Sequence, residues 1–259
     1  SFANILLKET PTEIVKYMVD KTLSKVCEGK TPSEILNISV ADIACGSGIF
    51  LEEAFAYLQD YCVQWYICNG QTDHLIETGI DLYKLPLQEK KDILCSCIYG
   101  IDIDIHAVEV AKFSLLIKLI EDETAPSVSE VVPILPDLGD NIQFGNSLVS
   151  QTELNGISGA NRQMMEIAPF DWSTINNGCG FDVIIGNPPY VNTEGMHALL
   201  PSAEVEVYKK KYKTSHKQFD KYFIFIEQAI NKINENGLVC YIVPVSYTHL
   251  RAPRHLRIS

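Results

Sequence analysis

"ADIACGSGIFL", residues 41–51, is the stretch whose reading decides the fold. It closes an apolar run, "ISVADIA" (38–44), that reads as a buried strand. Gly46 and Gly48 make a turn, and "IFLEEAFAYLQDYCVQWYI" (49–67) reads as a long helix. A strand that passes through a tight turn straight into a helix belongs to a parallel sheet covered by helices. Such a turn lies at the carboxyl edge of the sheet, where the helix offers its free N–H groups and glycine lets a ligand approach the backbone. This is the architecture of a nucleotide-cofactor site. Position 51 is Leu, so G-x-G-x-x-G is not met and a plain NAD fingerprint is disfavoured. The other reading of G-x-G is a structural turn.

The flanking elements alternate helix and strand. Upstream, "TPTE" predicts a capping box with Thr10 at the N-cap, Pro11 at N1 and Glu13 at N3. The helix after it carries Ile14, Val15, Met18, Val19, Thr22, Leu23 and Val26 on one face. Residues 69–97 are polar and mixed and read as an insertion with helix around 86–95. "CIYGIDI" (97–103) is a second strand, followed by a helix over 105–122 with Asp104 as N-cap. "NIQFGNS" (141–147) and "FDVIIG" (181–186) are a third and fourth strand, and the Gly/Asn/Ser-rich stretch 151–180 between them reads as loop. A helix over 219–237 is expected to end at Gly237 as C′ residue, before a fifth strand, "LVCYIVP" (238–244). The predicted fold class is therefore α/β, a mostly parallel Rossmann-like sheet with helices on both faces.

Composition narrows the function classes. The 259 residues carry a formal net charge of −12, which argues against a globally basic nucleic-acid binder. One local exception is "YKKKYKTSHKQFDK" (208–221), with Lys209, Lys210, Lys211, Lys213 and Lys217. It reads either as a solvated face or as a strip for phosphates. No apolar run approaches the roughly 20 residues needed to span a bilayer, and the first residues do not resemble a signal peptide. None of the eight cysteines forms a C-x-x-C pair, so no metal site is predicted and reduced thiols in a cytoplasmic setting are expected. The final residues, "RAPRHLRIS", hold three arginines, whereas only Arg162 precedes them. Residues 247–259 are therefore expected to be a tail foreign to the domain.

Three further positions stand at strand ends. Asp102 closes the second strand, where an acid can accept from both hydroxyls of a ribose; the bland alternative, capping the next helix, suits Asp104 better. Asn146 has a donor and an acceptor that could read an adenine edge, or it is a turn residue. "GNPPY" (186–190) stops the fourth strand at two prolines and presents Asn187 and Tyr190 at its end, as a corner or as a site.

Taken in order, "ADIACGSGIFL", "GIDID", "GNSL" and "GNPPY" resemble the S-adenosylmethionine-dependent N6-adenine DNA methyltransferases of restriction–modification systems. "TPTEIVKYMV" upstream and "DKYFIFIEQAINKINENGLVCYIVP" downstream resemble members with the gamma motif order. Glu9 and Ile43 depart from an aromatic and a proline common there. The resemblance implies a catalytic domain over 1–246, with residues 1–30 as its N-terminal cofactor segment. It implies that Thr10, Asp42, Ala44, Gly46 and Gly48 meet the methionine part of the cofactor. Asp102 would hold the ribose, Ile103 pack on the adenine, Asn146 bond its edge, and Pro189 lie near the cofactor. Asn187, Pro188 and Tyr190 would act on a flipped adenine of double-stranded DNA. Acceptors at Asn187 and the Pro188 carbonyl would draw on the N–H bonds of an amine whose lone pair is delocalised into the ring. Tyr190 would stack the base, and neither metal nor general base is called for. Such enzymes continue into a target-recognition domain, absent here, so the sheet is expected to be incomplete at its C-terminal edge. A nuclease or specificity region would belong to the same polypeptide or to a partner subunit. The rival readings are a protein glutamine N5-methyltransferase and a non-catalytic cofactor-binding fragment or subunit.

Overall fold

The computed structural model describes residues 10–124, 133–216 and 218–244. The expected tail, 247–259, lies outside them, as do Lys217 and the first nine residues. Five strands form one parallel sheet: β1 (Val40–Asp42), β4 (Ile98–Asp102), β5 (Ile142–Phe144), β6 (Phe181–Gly186) and β7 (Ile233–Tyr241). Their order is β5-β4-β1-β6-β7. β1 sits between β4 and β6 with Val40 opposite Ile98 and Val183. It is buried along its whole length, as the apolar run predicts.

Side chains alternate between two cores. On one face Val40, Ile98, Val183 and Ile185 meet α1 (Thr12–Cys27), α2 (Pro32–Ile35), α3 (Ile49–Cys68), α4 (Leu87–Cys97) and α5 (Ile105–Ile120). On the other, Ala41, Tyr99, Ile101, Phe181 and Ile184 meet α6 (Ala160–Ile167), α7 (Thr193–Leu199), α8 (Ser202–Lys211) and α9 (Lys221–Lys232). Helices thus cover both faces.

The structure corrects several boundaries. Pro11, not Thr10, precedes the first turn of α1, and no side chain caps it; the Pro11 carbonyl takes the Ile14 and Val15 N–H groups instead. Thr10 is thereby free for another partner. Ile14 is exposed and Cys27 takes its place on the buried face of α1. Asp104 caps α5 as expected, accepting from the His106 N–H at 2.9 Å. In 69–97 only an antiparallel hairpin stands apart, β2 (Ile76–Gly79) with β3 (Leu82–Lys84). α4 is part of the main core through Leu87, Ile93, Leu94 and Cys97. The 151–180 stretch contains α6 rather than loop alone. α9 ends at Lys232, five residues before Gly237, because Ile233 already pairs with Phe181. Between the Phe181–Ile233 and Val183–Leu238 pairs, β7 makes an excursion that holds Asn236 at φ 68°. Gly237 serves that excursion, not a helix end: a Cβ there would lie 3.0 Å from the Phe181 and Asp182 carbonyl oxygens.

Candidate active site

The carboxyl ends of β1, β4 and β6 bring the predicted residues to one edge of the sheet. Gly46 and Gly48 adopt φ of +52° and +90°, left-handed values that favour glycine. Gly48 has a second constraint, since its Cβ would stand 3.0 Å from that of Ala111 on α5. Gly46 has none: a Cβ there would meet no atom within 4 Å. The turn is therefore open above Gly46 and closed below Gly48.

Asp102 ties this turn to β4. Its Oδ2 accepts from the Gly46 N–H at 2.8 Å and its Oδ1 from the Asp104 N–H at 2.9 Å. Burial raises its carboxyl above the ordinary value, against the pull of these two donors. Each oxygen keeps a lone pair for a further donor. Ile103, next in the chain, is 44% exposed. An open glycine turn, an acid with spare acceptors and an uncovered apolar side chain have the chemistry to take a nucleoside, the acid at its ribose and the apolar side chain at its base.

Asp42 lies deeper. Its Oδ1 accepts from the half-buried Ala44 N–H at 3.0 Å. Burial pushes its carboxyl to about 8, the Ala44 N–H opposing and nearby Asp102 reinforcing. Gly186, directly before the corner, is what makes room: a Cβ there would sit 2.5 Å from Asp42 Oδ1. Tyr241 pairs with Gly186 across β6 and β7, and its hydroxyl is buried with no hydrogen-bond partner. Two buried polar groups, one of them unsatisfied, therefore lie where β1, β6 and β7 run side by side.

At the corner, Asn187 Nδ2 donates to Thr10 Oγ1 at 3.2 Å, and Asn187 Oδ1 accepts from the Tyr190 hydroxyl. The same hydroxyl lies 2.9 Å from the Ile242 carbonyl. Tyr190 is 39% exposed and meets Tyr222 edge-on at 6.0 Å. Pro188 is buried and Pro189 half-buried. Thr10, read from the sequence as a helix cap with a part near the cofactor, is thus in contact with the corner across 177 positions. Val191 is anchored from both sides: its N–H donates to Asp220 Oδ1 at 3.0 Å and its carbonyl accepts from the Lys221 N–H at 2.8 Å.

Asn146 does not face an open cleft with an idle side chain. Its Oδ1 takes the Leu148 N–H and its Nδ2 donates to Glu204 Oε1 at 2.9 Å, with the residue 4% exposed. The lysines do not form one strip. Lys209 meets His197 and Lys210 pairs with Glu206 on the exposed face of α8. Lys211 turns inward to Glu153 at 2.9 Å and to the Leu148 carbonyl. Lys213 is exposed. Sequence reading missed Glu204, Tyr208, Lys221 and Tyr241. One signal was available: Glu204 and Tyr208 share a helix face with Ala203 and Val207, so a charge stood on the apolar side of α8. Among the described residues no cluster of His, Cys, Asp and Glu could hold a metal, and no helix is long and apolar enough to cross a membrane.

The family model described as the Eco57I restriction-modification methylase matches residues 96–258. The type II restriction enzyme and methyltransferase RM.Eco57I of Escherichia coli is 45% identical over 248 residues, 96% of this chain and 24% of that protein. The type II methyltransferase M.BstVI of Geobacillus stearothermophilus is 24% identical over 85% of this chain and 31% of its own length. The chain spans about a quarter of the first relative and under a third of the second. A nuclease-deletion mutant of the Type ISP restriction-modification enzyme LlaGI, solved with a DNA substrate mimic, shares the fold at a TM-score of 0.54. That likeness has 17% identity and covers 92% of this chain and 18% of the other.

Proposed function

Because the chain belongs to the Eco57I restriction-modification methylase family, we propose that it transfers a methyl group from S-adenosylmethionine to the N6 amino group of an adenine in DNA. It would act as the modification part of a restriction–modification system, with residues 1–246 as the catalytic domain. The observation that carries this reading is the carboxamide of Asn187, held by Thr10 on one side and Tyr190 on the other, one residue from the glycine that roofs Asp42.

S-adenosylmethionine, when bound, supplies an electrophilic methyl group on a sulfonium. Asp102 holds the ribose hydroxyls with its two spare lone pairs, and Ile103 covers the adenine. Asp42 and the Ala44–Gly48 turn line the methionine part, with Pro189 at its side. An adenine turned out of the duplex stacks on Tyr190. Its amino hydrogens go to Asn187 Oδ1 and to the Pro188 carbonyl. Asn187 Oδ1 already accepts one O–H donor, from Tyr190, so the base amine replaces that donor without a new desolvation cost. Both acceptors make the nitrogen lone pair more available and favour the developing positive charge there. The double-stranded DNA backbone runs against exposed Lys209, Lys210 and Lys213. A nuclease or specificity region, in the same polypeptide or a partner subunit, completes the system.

The test is transfer of labelled methyl from S-adenosylmethionine, with duplex DNA and a release-factor-like protein as alternative acceptors. Label on DNA adenine is expected. Label on protein glutamine alone overturns the reading, and cofactor binding without transfer reduces it to a binding module.

A further inference from the structure

A second group of polar side chains lies behind the corner, buried on the face of the sheet that carries α8 and α9. Glu204, 1% exposed, stands in the first turn of α8. Three donors converge on its Oε1: Asn146 Nδ2 at 2.9 Å, the Tyr208 hydroxyl one turn along the same helix, and Lys221 Nζ at 3.7 Å. Lys221 is 8% exposed, and its own N–H holds Val191, the residue after the corner. Burial lowers its ammonium's pKa while Glu204 opposes that shift.

Burying a carboxylate and an ammonium costs more than packing two apolar side chains in the same place. A structural need for one hydrogen bond to Asn146 would be met by any neutral acceptor. What a carboxylate oxygen that takes three donors adds is that it serves only as an acceptor. The amino end of the Asn146 carboxamide must therefore face Glu204, and the carbonyl end must face the Leu148 N–H, which can only donate. A neutral amide in Glu204's place could accept or donate, so it would no longer reinforce the orientation that the Leu148 N–H sets. With both ends assigned, Asn146 keeps one N–H and one lone pair. That pair of valences is the complement of an adenine edge, which offers an amino hydrogen beside a ring nitrogen.

We propose that Glu204 is a positioning residue that, together with the Leu148 N–H, holds the Asn146 carboxamide in the one orientation that reads the adenine of the cofactor, with Lys221 as its cationic partner. This rests on the reading of Asn146 as the cofactor's adenine contact. It predicts a selectivity, for a 6-amino purine over a 6-oxo purine, that originates in a residue without ligand contact.

The test compares binding of S-adenosylhomocysteine and its deaminated counterpart, S-inosylhomocysteine, by calorimetry. The proteins are the wild type and the near-isosteric neutral double variant Glu204→Gln/Lys221→Met. The wild type is expected to prefer the adenine form by about tenfold or more, the worth of one bidentate adenine contact. The double variant is expected to melt within a few degrees of wild type, yet to lose most of that preference through weaker binding of the adenine form. Should it fail to fold, Glu204→Asp keeps the charge and withdraws the oxygen from Asn146, and the same loss of preference is expected. A folded variant that keeps both affinity and preference overturns the inference while leaving the cofactor reading intact. A wild type that binds neither ligand overturns both.

Discussion

Asn187 has both ends of its carboxamide engaged by hydroxyls, Thr10 on the amino end and Tyr190 on the carbonyl end. Neither contact belongs to a large core, so the side chain can be removed without a cavity. Asn187→Ala is expected to lower the rate of methyl transfer by about 100-fold or more, the usual cost of one preorganised polar contact to a reacting group. Its melting temperature should stay within a few degrees of wild type, and a parallel rate assay and thermal melt check both halves. Asp42 is the opposite case, a carboxyl enclosed by the fold. Its value rises from 3.8 to about 8, chiefly through burial. Between those values the folded chain holds a proton that the unfolded chain has released. Stability from this group is fully present below pH 4 and is lost as pH rises through about 8. Denaturant titrations at pH 5, 7 and 9 should show that decline in the wild type and a flatter profile in Asp42→Asn, whose neutral amide has no proton to lose. Both residues were legible as site positions from "ADIACGSG" and "GNPPY". Thr10 as the partner of Asn187 was not, because that contact joins residues 177 apart.

At the scale of elements, the site depends on β6 lying close to β1, and Gly186 permits it. A Cβ there would stand 2.5 Å from Asp42 Oδ1 and 2.8 Å from its Cγ. Gly186→Ala must displace either a buried carboxyl or the strand that carries the corner. A loss of about 1–3 kcal/mol is expected, as for other overpacked interiors, read from the urea midpoint, together with loss of S-adenosylhomocysteine binding. The elements themselves differed in how openly their sequences declared them. α3 and α5 follow from long apolar runs, and Asp104 marks the start of α5. The end of α9 did not, since "NKINENG" continues a helical pattern up to a glycine that suits a C-cap. Pairing of Ile233 with Phe181 stops the helix earlier, and hydrogen bonding to a neighbouring strand outweighs local preference. α4 was half hidden for a related reason: its buried face includes Lys90.

For the molecule as a whole, that lysine closes the helical layer. Lys90 Nζ pairs with Glu123 at 2.8 Å, with side chains 4% and 1% exposed, and Lys84 from β3 reaches the same carboxylate at 3.0 Å. The cluster joins the hairpin, α4 and the segment after α5. Lys90→Met removes the better buried cation and leaves Lys84. The expected loss is about 2–3 kcal/mol, below that for a carboxylate stripped of its sole partner, and it should appear in the denaturation midpoint without a change in the slope. The hairpin, tied on by Lys84, should become more open to proteolysis in the same variant.

What the sequence determined by itself is the α/β architecture and the edge at which the site sits. Strand, glycine turn and helix follow from local rules, and every strand-to-helix turn of a parallel sheet opens on its carboxyl edge. Asp42, Gly46, Asp102 and Asn187 therefore had to meet there. Only the tertiary structure decided which polar groups leave water and whom they find. Glu204 with Asn146, Lys221 with Glu204, Thr10 with Asn187 and Tyr241 beside Gly186 are neighbours distant in the chain. A charge or an amide is soluble anywhere on a surface, so its residue type carries no address; its place is set by the packing of helices around it, and packing is a property of the whole chain.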